Sequence, residues 1–539
     1  MKGIVGKGII AAAFVLFAAS GLFHFASAVE ALPFNDISDS YAKDEIIFLH
    51  ENGIINGTTK TTFSPADHMT RAEFITMVDR LLKLEPVTGP VNSFKDVTPN
   101  QWYYGWIQAA VQLELASGTS ATTFSPDAAV TRQEAAVWIA RAFKQSSGQA
   151  LSATAFKDTN DIAQWANTAV SALQRQGLMK GDDFGRFRPA DAIKRQEAAV
   201  LIARVLQQES WAAELDKKVE ERIVLGWQYG QTTAAYEKNI LNSNVNTLSP
   251  RWYFVDGAGK VSDNTDTSLI AWAKANGKKV WAMVGNRFDQ EATHQMLSNS
   301  EKRNAVIDQL AAKVSKYSLD GLNIDFENVA PKDKANLTLF IADLAKKLDE
   351  AGAALSVDVS PDLGTDWTEA LDYKALGEHA DYIVMMGYDE HYGGSINAGS
   401  VASLPFVHNA ITKLLKAVPS EKVILAMPLY SRDWTLLSNG KSAGSTELRL
   451  HEQNAMIASH SLKPIWNKSV GQYVASYTKQ SKKHTIWLED GRSLIAKYKV
   501  VAEQDLAGIA YWHIGGDSPD IWTSMRNAER FYDYTFSSK

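Results

Sequence analysis

The chain contains no cysteine. Disulfides and thiolate metal sites are therefore excluded, and its domains must be held by ordinary apolar cores. A basic excess is also lacking: Lys and Arg number 55 against 61 Asp and Glu, a formal charge of −6. That balance gives no electrostatic footprint for nucleic acid. Long apolar runs are absent too, with one exception at the start. Residues 1–28 read MKGIVGKGIIAAAFVLFAASGLFHFASA. Lys2 and Lys7 precede an apolar stretch from Ile9 to Leu22, and Ala26-Ser27-Ala28 supplies a small-residue cleavage site. This is the layout of a secretory signal peptide, and the run is short for a transmembrane anchor. The expected product is exported, with no membrane segment left after cleavage.

What is present is an ordinary globular composition, 45% apolar and 22% charged over 539 residues, a length that suits several domains. Aromatics are plentiful, with 15 Trp, 18 Tyr and 21 Phe. Such side chains fill cores, and where exposed they stack on sugar rings.

The N-terminal part repeats itself. FNDI, FKDV and FKDT begin at Phe34, Phe94 and Phe156. TFSP, TFSP and RFRP place Phe63, Phe124 and Phe187, and TRAE, TRQE and KRQE place Arg71, Arg132 and Arg195. A period of about 60 residues signals tandem modules. A glycine lies six residues before each middle phenylalanine, at Gly57, Gly118 and Gly181. That position suggests a tight turn needing positive φ. Thr70 with Glu73, and Thr131 with Glu134, read as helix capping boxes. Capping does not explain the arginine that follows. Arg71, Arg132 and Arg195 carry planar donors suited to an anion, or alternatively form structural surface salt bridges.

These repeats resemble S-layer homology domains. The resemblance rests on the F-x-D opening, an aromatic at Tyr41, Trp102 or Trp165, the glycine loop and the TRAE-like helix start. It places the repeats at 34–86, 92–147 and 154–207. It implies an all-α, pseudo-trimeric bundle that grips secondary cell-wall polysaccharide through arginine-bearing grooves. Arg71, Arg132, Arg195, Trp102 and Trp165 are the implied contacts. Lys194 in place of the capping Thr, and Tyr41 in place of Trp, are departures that single out repeats three and one.

Residues 208–221 read as a charged helical connector. Beyond it, eight β-rich runs alternate with helical stretches, beginning at 222, 247, 278, 319, 354, 382, 422 and 506. That order and length suit a (β/α)8 TIM barrel over 222–537; an open doubly wound sheet is the alternative, without the glycine-rich loop that would favour it. Residues 435–490 exceed a usual connection and read as an insertion, with 470–479 and 483–490 able to pair as a hairpin along one wall of the cleft.

LDGLNIDFENV, residues 319–329, is the most informative stretch. With a strand's period of two, Leu322, Ile324 and Phe326 share one face, and Asn323, Asp325 and Glu327 the other. Buried parallel strands normally read apolar on both faces. Two carboxylates in such a place are costly unless paired, and coupling pushes one pKa upward. That is how a carboxylic acid stays protonated to act as a general acid. A polar layer that merely fixes register is the structural alternative.

The stretch resembles the D-G-x-D-x-D-x-E signature of glycoside hydrolase family 18, matched at Asp320, Gly321, Asp325 and Glu327, with Asn323 replacing the commoner Asp. MGYD matches M-x-Y-D at Met386, Tyr388 and Asp389. LYSRDW, expected on strand seven, matches at Tyr430, Arg432 and Trp434, and Trp512 falls where the family has a sugar-stacking Trp. The resemblance implies substrate-assisted retention without metal or cofactor. Glu327 is the implied acid, Asp325 orients the 2-acetamido group, Tyr388 donates to its oxygen, and Trp512 floors the −1 sugar. Asn323 is expected to donate to Asp325 without adding charge. Met386, Asp389, Tyr430 and Arg432 are implied substrate contacts.

GLNIDFENV, YDEHY, VASLPFV, HTIWLEDGRS and GIAYWHIGGDSPDIW are similar to the branch that contains spore-cortex glucosaminidases. This implies a wall-bound enzyme cutting after N-acetylglucosamine in peptidoglycan. A surface chitinase, or a silent glycan-binding barrel, are the alternatives.

Overall fold

The computed structural model describes residues 32–92, 94–145 and 156–536; the signal-peptide stretch 1–28 lies outside them. Among the described residues no helix is long and apolar enough to cross a membrane.

Each repeat contributes two helices: Lys43–Glu51 with Arg71–Leu81, Tyr104–Gln112 with Arg132–Ala142, and Asn167–Arg175 with Arg195–Leu206. Both capping boxes form. The Thr70 hydroxyl accepts from the Glu73 N–H and the Glu73 carboxylate from the Thr70 N–H, and Thr131 and Glu134 do the same. At Lys194 only the Glu197 half remains, since a lysine side chain cannot accept.

The F-x-D aspartates explain the motif's spacing. Asp36 accepts the N–H groups of Phe63 and Ser64, Asp96 those of Phe124 and Ser125, and Asp158 those of Phe187 and Arg188. These bonds pin Ser64, Ser125 and Arg188 in the left-handed region, at φ of 59°, 58° and 57°. The left-handed residue is therefore there. The glycine expectation is corrected: Gly57, Gly118 and Gly181 do not have positive φ. They are needed for close approach instead. A Cβ on Gly57 would sit 2.4 Å from the Thr62 carbonyl oxygen and 2.5 Å from Phe34 Cε1, and one on Gly118 2.4 Å from Phe94 Cε1.

The TRAE-type arginines also differ from expectation. Arg71, Arg132 and Arg195 are buried, at 3%, 9% and 3% exposure, so their ion pairs lie in the interior rather than at the surface. Each reaches into a neighbouring repeat. Arg195 donates Nε to the Phe63 carbonyl (2.7 Å), Nη1 to Glu73 (2.7 Å) and Nη2 to the Asn56 carbonyl (2.8 Å), with its guanidinium 4.6 Å from the Phe63 ring. Arg71 does the same to Phe124, Glu134 and Ser117, and Arg132 to Phe187 and Lys180, with Glu197 3.9 Å away. Their donors tie the repeats into a ring.

In the second half, the strands in chain order are β1 (Ile223–Gln228), β2 (Thr247–Phe254), β3 (Lys279–Gly285), β4 (Gly321–Asp325), β5 (Ala354–Val359), β6 (Tyr382–Met386) and β7 (Val423–Pro428). They continue with β8 (Tyr430–Leu436), β9 (Ser442–Arg449), β10 (Ile465–Asn467), β11 (Gln472–Lys479), β12 (Lys482–Trp487) and β13 (Gly508–Trp512). Strands β1 to β7 and β13 close a barrel in the order β1-β13-β7-β6-β5-β4-β3-β2, and the paired strands are parallel. This is the TIM barrel, not the open sheet. Its helices include Ser300–Tyr317, Lys334–Ala351 and Gly491–Glu503.

The insertion is a five-stranded antiparallel sheet, ordered β10-β11-β12-β8-β9. The expected hairpin is β11 and β12. The sheet begins at Tyr430, earlier than the expected 435, so LYSRDW lies beyond barrel strand seven and opens the insertion. Trp434 is fully buried. A wholly buried Lys497–Glu489 pair (2.8 Å) fastens this sheet to the barrel helix, and Gln472 and Ser493 satisfy the remaining carboxylate positions. Such a pair is tolerable in an apolar surround only because its hydrogen-bonding capacity is met.

The repeat module packs on the last two barrel helices. Asn527 exchanges two hydrogen bonds with the Glu85 backbone, Arg526 meets Glu85 at 2.8 Å and Ser524 donates to Gln112; on the connector helix Glu209–Asp216, Trp211 stacks on Phe143 at 4.7 Å.

Candidate active site

The C-terminal ends of β4, β5, β6 and β13 converge at one mouth of the barrel. Asn323 is fully buried near the centre of β4. Its Oδ1 accepts from Trp227 Nε1 (2.8 Å) and the Ser249 hydroxyl (3.3 Å), and its Nδ2 donates to Asp358 (2.7 Å) and the Ser356 hydroxyl (3.0 Å). The expectation that Asn323 donates to Asp325 is thus corrected: register places β5 beside β4, and both amide hydrogens go to that strand. Asn323 is a positioning residue in this arrangement.

Asp325 Oδ1 is buried and accepts no hydrogen bond from the described residues. Burial raises its pKa to about 6, while the Arg251 charge pulls the other way. Glu327, two residues on, is pushed up to about 9, first by burial and then by the charges of Asp325 and Asp389; Arg251 again opposes. Burial, with the Asp325 charge adding, also holds Asp358 well above the carboxylate range. Three carboxyls in one poorly solvated cluster cannot all ionise. Near neutral pH the arrangement keeps Glu327 protonated and lets Asp325 carry charge, dividing proton donor from anion.

Backbone geometry aims Glu327. Asn286, at the end of β3, donates to the Glu327 carbonyl (2.7 Å) and accepts its N–H (3.1 Å). Arg287, Phe288, Asn328 and Asp389, all just beyond strand ends, hold left-handed φ near 55–60°. Strain of this kind commonly gathers where a site must be held in one shape.

The other sequence-named residues fall as follows. Met386 shares a crevice with Glu327, Asp358, Ser360 and Trp367. Tyr388 is buried, its pKa raised by burial, with its ring 6.3 Å from that of Tyr430. Tyr430 donates to Asp389 (2.5 Å), so these two brace each other. Arg432 lies on β8 and reaches Glu447 and Ser445 of β9 at 3.3 Å, bonds that fasten the insertion sheet. Trp512 ends β13 with its ring 5.8 Å from Trp227 and 5.4 Å from Tyr229. Asp358, Asn286 and Arg251 join the site in the structure without belonging to any motif above. Asp358 has a signal, being the one charged residue in the run ALSVDV.

In the repeat module, Trp102, Trp165 and Tyr41 are 59%, 59% and 66% exposed. Trp102 and Tyr41 flank two grooves of about 340 and 230 Å3, floored by Arg195 and Arg132 respectively. Arg80 and Arg204, nine residues after the buried arginines, also line these grooves. The recurrence R-x8-R, Arg71 to Arg80, Arg132 to Arg141 and Arg195 to Arg204, is the sequence signal for them.

Comparison with known proteins agrees with both halves. The profile described as glycosyl hydrolases family 18 matches residues 238–517, and that of the S-layer homology domain matches 33–75, 93–136 and 155–199. The uncharacterized glycosylase YvbX of Bacillus subtilis is 27% identical over 319 residues, 57% of this chain and 92% of that protein. A cortical fragment-lytic enzyme of the same species is 26% identical over 257 residues, 46% of this chain, and the match spans 59% of that protein's length. Among solved structures, a chitinase from Chromobacterium violaceum superposes with a TM-score of 0.53 at 23% identity, covering 57% of this chain and 99% of that one. The spore cortex-lytic enzyme SleL of Bacillus megaterium gives 0.53 at 22%, covering 60% and 76%. At those identities the structures establish the barrel fold alone. S-layer homology domains indicate association with the cell wall. The chain belongs to glycosyl hydrolases family 18, a glycoside hydrolase whose catalytic barrel is preceded by three S-layer homology domains.

Proposed function

We propose that the protein is a cell-wall-anchored, retaining N-acetylglucosaminidase that cuts peptidoglycan after N-acetylglucosamine by substrate-assisted catalysis. The observation that carries this reading is the pairing of Asp325, ionisable and with a buried oxygen that accepts no hydrogen bond from the described residues, with Glu327, held protonated. An acetamide N–H on the −1 sugar supplies the donor that Asp325 lacks. Glu327 then protonates the glycosidic oxygen as the C1–O bond breaks. The acetamide oxygen attacks C1 from the opposite face, and the positive oxazolinium is balanced by Asp325. Tyr388 donates to the acetamide oxygen, and Trp512 supports the ring's apolar face. Ionised Glu327 takes a proton from water, which opens the oxazolinium at C1 with net retention and restores the acid. This is the substrate-assisted exception to the two-carboxylate scheme.

Peptidoglycan is favoured over chitin by the pairing of modules and by relatives named for cortex lysis. The exposed aromatics Trp102, Trp165 and Tyr41, beside Arg80 and Arg204, are the surface we assign to the wall polysaccharide. The test is to digest purified peptidoglycan and chitin oligosaccharides with the full chain and identify new reducing ends by mass spectrometry. Fragments ending in reducing N-acetylglucosamine are expected from peptidoglycan. Reducing N-acetylmuramic acid contradicts the reading, and chitin cleavage with untouched peptidoglycan makes the protein a chitinase.

A further inference from the structure

Among the described residues, Arg251 is the one cation whose charge lowers the pKa of both Asp325 and Glu327, yet it pairs with neither. It lies near the C-terminal end of β2. Among the described residues it forms no ion pair, and its Nε is buried without a hydrogen-bond partner. Aromatic rings hold it instead: its guanidinium carbon is 4.8 Å from the Tyr229 ring centre, 5.5 Å from Phe254 and 5.9 Å from Trp512. Arg287, exposed at the end of β3, places its own guanidinium 3.9 Å from the Phe254 ring. Stacking uses the faces of a guanidinium and leaves its in-plane N–H donors for another partner. A cation so placed, beside the sugar-stacking Trp512 and with no carboxylate of its own, fits an anionic group on the bound glycan.

We propose that Arg251, with Arg287 at the rim, forms a carboxylate-recognising subsite that selects glycans bearing an acidic group on a sugar next to the cleaved N-acetylglucosamine. This rests on the reading above. In peptidoglycan that group is the lactyl ether of N-acetylmuramic acid, which is a carboxylate only where no peptide is amide-linked to it. The preferred substrate is then a strand whose peptides an amide hydrolase has already removed. A neutral chitin chain offers Arg251 only uncharged acceptors, which bond a guanidinium less strongly than a carboxylate does. The charge also suits catalysis, because a bound carboxylate screens Arg251 from Glu327 and lets the acid keep its proton.

The test uses the full chain and three soluble glycan preparations of equal length: peptide-free muramyl strands, the same strands with lactyl carboxyls reduced to alcohols, and chitin oligosaccharides. Wild type should cut the carboxylate strands with kcat/KM about tenfold or more above the reduced ones, the scale of one charged hydrogen-bonded contact. That preference should shrink with added salt. In Arg251→Gln the ratio should fall to about one, and Arg251→Lys should keep part of it. Ratios cancel any shared change in the catalytic carboxyls, and the wild-type comparison needs no variant to fold. Equal rates on carboxylate and reduced strands overturn the subsite while leaving the glucosaminidase reading intact. Cleavage of chitin alone overturns both.

Discussion

Replacing Glu327 with Gln should lower kcat/KM by about 10²- to 10⁴-fold, the usual contribution of a positioned acid, and at the same time raise thermal stability. The second half follows from the pKa direction. In the unfolded chain the carboxyl titrates near its ordinary 4.5, whereas in the folded protein it is pushed up to about 9. Below the unfolded value both states hold the proton and the side chain carries no penalty. Between the two values the unfolded chain releases a proton that the folded one retains, so stability falls as pH rises. Gln does not titrate. The melting temperature of the variant should therefore exceed that of wild type by an amount that widens from pH 5 to pH 8. The gap should widen by ~1.4 kcal/mol for each pH unit between those values, ~3–5 °C per unit for a domain this large. Calorimetric scans across that range measure it. A constant gap would show that Glu327 is not held protonated.

Arg195→Ala should be among the most destabilising single changes in the repeat module. It strands the Phe63 and Asn56 carbonyls and the Glu73 carboxylate together, and removes a guanidinium packed on Phe63. Removing one partner of a buried ion pair costs about 3–5 kcal/mol. Wall binding should be lost together with a lowered unfolding midpoint, while hydrolysis of soluble oligosaccharides at 25 °C stays close to wild type. Trp102→Ala should separate the two effects, because that ring is 59% exposed, so binding should weaken with no change in midpoint. A fully stable Arg195→Ala protein that fails to bind the wall would make Arg195 a direct contact with the polymer.

The reach of the sequence was uneven for physical reasons. On β4 the period of two shows on its own that Asn323, Asp325 and Glu327 share a face, and the strand-helix alternation shows the barrel. Partners across strands are not visible in this way. Asn323 turned to Asp358 because β5 lies beside β4 with Ser356 opposite Asn323, a register that no spacing along the chain encodes. Arg251 reads as an ordinary charged residue until three rings from separate segments surround it. In the repeats, the motif positions were legible and their roles were not. The recurring glycines serve close approach of a phenylalanine, and the recurring arginines are interior ties. A repeated polar residue marks a shared requirement without saying whether it faces solvent or a neighbouring repeat. The insertion boundary was misplaced by five residues because LYSRDW is as strand-like outside the barrel as within it.

The central claim is that the substrate's own acetamide is the nucleophile, oriented by Asp325 while Glu327 acts on the leaving oxygen. Proton NMR of the first product released from a short N-acetylated glycan, compared with the same glycan de-N-acetylated at the −1 sugar, tests it most directly. The account predicts β-anomer first from the acetylated glycan and no cleavage of the other. Initial α-anomer, or comparable cleavage without the acetyl group, would contradict it.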